Sequence, residues 1–244
     1  MESDKKILDF LSADNVMEVI RLNDKLMYID GFSLIQWATY FNSLDCVKLL
    51  QVYDKNDGKC IFTAALYGYY ECLRFLLMNS KYTFLSLYRH NISGKTHWYT
   101  PLMIAAIKEN LSCVDILVDV GCNIDAVNNE GVTALMFACI HGKDSSVKLL
   151  LEQGADVNLQ VGGWDAITFA TDGNHYGCLD LCLKAGAKPN NMAVIRAVEK
   201  GHHKCLHLLM EAGFSVNVNI RKNCSALRWA IRNDFGKCVK LLVG

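Results

Sequence analysis

"NEGVTALMFACIHGKDSSVKLLLEQGADVN", residues 129–158, holds two short apolar runs separated by "HGKD" and closed by "QGADVN". Count from Leu135. Ala138 follows by three, Gly142 by seven, Val147 by twelve, Leu149–Leu151 by fourteen to sixteen and Gly154 by nineteen. The apolar residues of the second run recur at i, i+1, i+3 and i+4, which is a buried stripe on a helix. Gly142 marks a turn between two helices, and Gly154 suits a helix C-cap that needs a positive φ. The small Ala138 leaves room for a neighbouring helix pair to approach. One such pair cannot bury both of its faces, so the unit implies copies stacked against it.

The copies are present. "TPLMIAAIKENLSCVDILVDVGCNID" repeats the ladder from Leu102, "DAITFATDGNHYGCLDLCLKAGAKPN" from Ile167, and the stretch from Val194 carries Ala197, Gly201, Leu206 and Gly213. Weaker copies start at Ile35, Ile61 and Leu227, and a degenerate one near Leu8. About eight units therefore cover residues 1–244 as a single repeat domain. Anchor spacings of 27, 26, 41, 33, 32, 27 and 33 imply trimmed loops after the first, second and sixth units. The long interval contains an insertion at 79–99 that carries Tyr82, Phe84, Tyr88 and Arg89. Met27, Asp54 and Ser80 stand where the first three units lack the cap glycine. The last unit, "KCVKLLVG", stops two positions short of its own, so the natural chain is expected to run on.

On "TPLMIAA" (100–106), "GVTALMFACIHG" (131–142) and "LLLEQGADVN" (149–158), with "LMEAGFSVN" (209–217) near them, the chain resembles the ankyrin-repeat family. The resemblance implies an all-α fold: a curved ankyrin-type solenoid of stacked helix pairs with β-hairpin-like loops, its outer units degenerate. It also implies a non-catalytic module that binds a partner protein through its concave face.

Composition bounds the alternatives. Hydrophobic residues make up 52% and charged ones 20%, enough apolar surface for a packed interior. Twenty-five basic residues balance twenty-five acidic ones, and no Lys/Arg run has the density of a nucleic-acid or anionic-membrane footprint. No apolar segment reaches the roughly 18 residues of a membrane span. The opening "MESDKKILDFLSADN" alternates charge and hydrophobe, unlike a secretory signal. Eleven cysteines is an odd count with no secretory context, which points to a reducing, intracellular and cytoplasmic setting, with the nucleus left open. The expected partner is a protein, with neither nucleic acid nor membrane, and the chain is expected to act as a monomer.

The densest candidate chemistry is "GHHKCLHLLMEAG", residues 201–213, where Cys205 stands between His203 and His207. The repeat argues against a metal site. Cys205 shares one slot, eleven positions after the anchor, with Cys46, Cys72, Cys113, Cys178 and Cys238. Free cysteine there is a small hydrophobe of the core. His207 shares its slot with Lys48, Arg74, Asp115, Lys148, Asp180 and Lys240, a solvated face. Structural zinc needs four convergent ligands, so no metal is expected. The chain has no GxGxxG after a strand, P-loop, HExxH or GxSxG, and His97, His141 and His175 lie at turns without a nucleophile arranged around them. No catalytic residue and no cofactor are expected.

What remains is a surface. In the implied architecture the concave face comes from loop residues just before each anchor and from positions five and six after it. Those positions hold Phe32, Tyr40 and Phe41, then Leu66 and Tyr67, Trp98 and Tyr99, Ile140 and His141, and Trp164. From the sixth unit they turn polar: Asp172, Glu199, Lys200, Arg232 and Asn233. Exposed aromatics dominate interface energetics, so Phe32, Tyr40, Phe41, Tyr67, Trp98, Tyr99, His141 and Trp164 are the expected partner-binding residues. The competing reading folds these rings back on the repeats as core. Two function classes stand side by side: a protein-interaction module, or the N-terminal recruiting segment of a longer enzyme or ubiquitin-ligase adaptor.

Overall fold

The computed structural model describes residues 2–15, 18, 28–29, 32–51, 58–79, 88–92, 95–221 and 224–243. Met27, Asp54, Ser80, Tyr82 and Phe84 lie outside the described residues. The chain divides into two compact units, 1–123 and 124–244. The first holds α1 (Glu2–Ser12), the hairpin β1 (Tyr28–Ile29) and β2 (Phe32–Ser33), α2 (Leu34–Tyr40), α3 (Leu44–Leu50), α4 (Gly58–Tyr67), α5 (Tyr70–Asn79), the hairpin β3 (Tyr88–Ile92) and β4 (Lys95–Tyr99), α6 (Pro101–Lys108) and α7 (Leu111–Asp119). The second holds α8 (Ala134–Ile140), α9 (Asp144–Glu152), α10 (Ala166–Asp172), α11 (Tyr176–Lys184), α12 (Asn191–Glu199), α13 (His203–Glu211), a short hairpin of β5 (Asn219–Arg221) and β6 (Cys224–Ser225), α14 (Ala226–Arg232) and α15 (Gly236–Val243).

Within each unit the first helices of successive pairs pack on one another, α2 on α4 on α6 and α8 on α10 on α12 on α14. The second helices do the same, α3 on α5 on α7 and α9 on α11 on α13 on α15. The anchor and alanine slots explain that order. Ala38, Ala64, Ala105, Ala138, Ala170, Ala197 and Ala230 are all fully buried, and larger side chains there would hold the helices apart. The cysteine slot is equally closed at Cys46, Cys72, Cys113, Cys178, Cys205 and Cys238, and Ser146 takes its place in α9.

Each pair turns on one left-handed residue: Asp14, Asn42, Gly68, Glu109, Gly142, Asn174, Gly201 and Asp234 all have φ between +52° and +77°. The residue after it donates its N–H to the carbonyl of the alanine slot, as Lys143 does to Ala138 at 2.9 Å and His202 to Ala197 at 2.8 Å. By this turn the first unit's anchor is Ile7 rather than Leu8. Ile7 and Leu11 are the buried pair of α1, while Leu8 is half-exposed. Second helices close in a Schellman motif on Gly121, Gly154, Gly186 and Gly213, all with positive φ; Ala155 N–H to Leu150 O and Gly154 N–H to Leu151 O form one of them.

Polar side chains tie neighbouring pairs. The second-helix N-cap reaches back to carbonyls ending the previous first helix. Asn110 Nδ2 donates to Ala65 O at 2.8 Å, His175 Nε2 lies 3.2 Å from Ile140 O and His202 Nε2 lies 3.3 Å from Asp172 O. Ser43 Oγ donates to Leu11 O in the same way. These bonds give partners to carbonyls at the helix ends, which lack a donor within their own helix.

Candidate functional site

Helix α2 spaces Trp37, Tyr40 and Phe41 at i, i+3 and i+4, which gathers three rings on one face. Trp37 stacks on Phe41 at 5.8 Å and meets Tyr40 edge-on at 5.7 Å, and Phe32 from β2 closes on Trp37 at 5.6 Å. The next pair extends the row. Tyr67 ends α4, meets Tyr40 perpendicular at 5.5 Å and stacks on Tyr69. Residues 88–92 and 95–99 of the insertion pair as a hairpin, Tyr88↔Tyr99 to Ile92↔Lys95, which brings Tyr88 to 5.1 Å from Phe62. Helices α2 and α4 and the two hairpins thus enclose a groove of about 790 Å3 lined by Phe32, Trp37, Tyr40, Phe62, Leu66, Tyr67, Tyr88 and Trp98, with Gln36, Lys59 and Thr63 as its polar atoms. Burial, then the neighbouring Tyr40 and Tyr69 hydroxyls, push the Tyr67 phenol up, so it stays neutral.

Four of the expected binding residues rim this groove with 42–50% of their surface exposed: Phe32, Tyr40, Tyr67 and Trp98. Phe41 is half-buried against Trp37. Tyr99 does not belong with them. It is 1% exposed and part of the core, because neighbouring strand residues point to opposite faces and Trp98 takes the outer one. Sequence spacing does not single out Trp37 or Phe62, whereas Tyr88 is among the aromatics it places on the insertion; the i, i+3, i+4 aromatic triplet is the available signal for Trp37.

The second unit builds its corresponding face from charge. Trp164 is half-buried, packs on Phe169 at 5.1 Å and carries the Arg196 guanidinium 5.3 Å from its ring centre, so its faces are already engaged. His141 caps the end of α8, half-buried. Arg196 bonds Asp172 and Glu199, and Lys200 Nζ lies 2.8 Å from Asp172 Oδ2. Burial alone would raise the Asp172 carboxyl, but the hydrogen bonds and charges of Lys200 and Arg196 outweigh it and hold it below the usual range.

His202 sits beside this cluster, and burial first, then Lys200, lowers its pKa from 6.5. A base with a depressed native pKa stays neutral in the fold while the unfolded chain takes up a proton. Its stability contribution is therefore full above about pH 6.5 and is lost as pH falls from there through the native value. Urea melts of the wild type should weaken over that window, and His202→Gln should flatten the dependence; equal slopes would show that His202 does not carry it.

The stretch 201–213 is resolved by the same geometry. Cys205 faces the core and His207 faces out, with Nδ1 3.2 Å from Glu211 Oε2. Among the described residues no group of three or more His, Cys, Asp or Glu is placed to hold a metal ion. Burial pushes the thiols of Cys72, Cys113 and Cys205 to about 11, and burial plus the Asp14 carboxylate pushes Cys46 to about 12, so none is a thiolate near neutral pH. Among the described residues no helix is long and apolar enough to cross a membrane.

Stacked helix pairs with left-handed turns and hairpin loops define a helical repeat protein. The family profile for ankyrin repeats (three copies) matches residues 81–161 and 162–244, and the chain belongs to the ankyrin-repeat family. Folds of this family are in general protein–protein interaction modules. The B-cell lymphoma 3 protein homolog of Mus musculus is 30% identical over 156 residues, covering 59% of this chain and 35% of that protein. The target of rapamycin complex 2 subunit AVO2 of Saccharomyces cerevisiae is 28% identical over 173 residues, 64% of this chain and 39% of that one. Ankyrin repeat and SAM domain-containing protein 6 of Mus musculus is 47% identical over 62 residues, 25% of this chain and 7% of that one. The match thus spans well under half the length of these relatives. Among solved structures, the ankyrin repeat domain of Bcl-3 superimposes with a TM-score of 0.71 at 22% identity, over 88% of this chain and all of that one.

Proposed function

We propose that the chain is a non-catalytic binding module that takes a segment of a partner protein into the aromatic groove of its first unit, on the side that forms the concave face in this family. The observation that carries this is the exposure of Phe32, Tyr40, Tyr67 and Trp98 around one groove of about 790 Å3. Monomeric proteins seldom leave so much contiguous aromatic surface in water unless it is covered in use. The rings brace one another edge to face, so they lose little freedom when a partner arrives. The reading holds equally for a free-standing module and for the recruiting segment of a longer enzyme or adaptor.

Affinity capture from source cells, quantified by mass spectrometry, compares the wild type with Trp98→Ala, Tyr67→Ala and Lys48→Ala. Trp98 and Tyr67 variants should each lose about 1–3 kcal/mol of affinity for the captured partner, measured by calorimetry, with unchanged melting curves. Lys48, paired with Asp45 at 2.8 Å on α3, should matter little. Capture that survives both aromatic changes and fails with Lys48→Ala would place the interface elsewhere.

A further inference from the structure

Although the chain as a whole is neutral, residues 201–244 hold seven Lys and Arg against two acidic residues, a formal +5. Part of that charge borders a second groove, within the second unit and on the outer helices. It runs between α11, α13 and α15, has a volume of about 520 Å3, and takes its apolar lining from Tyr176, Leu208 and Leu241, with His203 and His207 beside them. Lys204, Lys237 and Lys240 stand on its rim, all exposed. Lys204 Nζ lies 5.0 Å from the centre of the Tyr176 ring, which fixes it over the groove without neutralising it. The nearby carboxylates are engaged: Asp180 with Lys184 at 2.6 Å and Glu211 with His207 at 3.2 Å.

We propose that this groove docks an acidic, amphipathic segment of a partner protein, with carboxylates on the three lysines and apolar side chains on Leu208, Leu241 and Tyr176. Two features select that occupant. Lysines are compact point charges that do not fork onto a phosphate, and no buried polar side chain lines the floor, so a built phosphate site is absent among the described residues. The floor is apolar, and a nucleic-acid backbone has nothing to place on it, whereas a helix with acidic and apolar faces satisfies floor and rim together. Lysine stems also cover apolar surface while their ammonium groups stay in water, which widens the apolar seat. This surface is independent of the aromatic groove.

The test uses the full 244-residue chain. A random peptide display library is panned on the wild type and counter-selected on the triple variant Lys204→Glu, Lys237→Glu, Lys240→Glu, whose exposed substitutions should leave circular dichroism and melting unchanged. Enriched peptides should carry Asp or Glu together with Leu, Ile or Phe at helical spacing. A synthesised winner should bind the triple variant about tenfold or more weakly, weaken with added salt, and keep its affinity for the Trp98→Ala, Tyr67→Ala double variant. Loss on that double variant alone would assign the peptide to the aromatic groove and overturn the proposal. So would enrichment without acidic bias, an empty counter-selected pool, or tighter binding at physiological salt of duplex DNA or phosphatidylserine vesicles than of the selected peptide.

Discussion

Cys205→Asp should destabilise the fold by about 3–5 kcal/mol, while His207→Asp, two residues along the same helix, should change it by less than about 0.5 kcal/mol. Cys205 is fully buried, and its thiol already resists ionisation, with a pKa of about 11 because of burial. A carboxylate placed there loses its hydration and finds no cation. The Asn174 Oδ1 that accepts from the thiol, 3.7 Å from the sulfur, is itself an acceptor and offers a carboxylate nothing. His207 lies outside, where an aspartate meets water and suffers only a weak like-charge contact with Glu211. Cys205→Ser should fall between the two, since Ser146 occupies the same slot in α9 fully buried. Urea melts on the three variants check the order. Greater sensitivity at His207 than at Cys205 would mean that α13 presents the opposite face to the stack.

The repeat was legible because its restraints are steric and local. A buried alanine, a left-handed turn and a cap glycine tolerate few residue types, so they print themselves on the sequence at fixed offsets. The left-handed turn is the most reliable of them in space, yet five of its eight positions hold Asp, Asn or Glu rather than glycine. Asp14 in the turn of the degenerate first unit hides its register, so the sequence alone points to Leu8 where the fold buries Ile7. Trimming after the sixth unit was also readable: residues 185–190 pass from α11 to α12 with no strand, and Asn190 caps α12 by accepting from Met192 N–H at 2.9 Å.

The binding surface was only half legible, for a physical reason. Exposure of a ring depends on what covers it, and coverage is not periodic. Tyr99 and Trp98 are adjacent, yet a strand sends one inward and the other out. Trp164 occupies a position that in the first unit is open, but Arg196, one helix pair later, covers its ring and is itself held by Asp172 and Glu199. The two units therefore present different chemistries on equivalent faces, aromatic in one and a paired charge cluster in the other. Zero net charge concealed a further asymmetry, the basic surplus of residues 201–244.

Gly142→Ala should destabilise by about 2–4 kcal/mol, and Gly154→Ala by only about 1–2 kcal/mol. Both glycines are left-handed, at φ +64° and +90°, so alanine is strained at either. They differ in what stands over them. A Cβ on Gly154 would meet nothing within 4 Å, whereas one on Gly142 would lie 2.4 Å from His175 Nδ1 and 2.7 Å from its Cε1. The His175 ring cannot yield freely, because its Nε2 is bonded to Ile140 O at 3.2 Å and moving it orphans a helix-end carbonyl. The excess over the Gly154 figure is thus the cost of displacing that ring. A double-mutant cycle isolates it: in a His175→Ala background the clash disappears, and Gly142→Ala should fall back to the Gly154 value. Denaturant melts of the two single alanine variants and the cycle decide the matter. If the two glycine substitutions were equal, or if removing His175 left the Gly142 penalty unchanged, the close approach between successive helix pairs at this turn would not be what requires glycine.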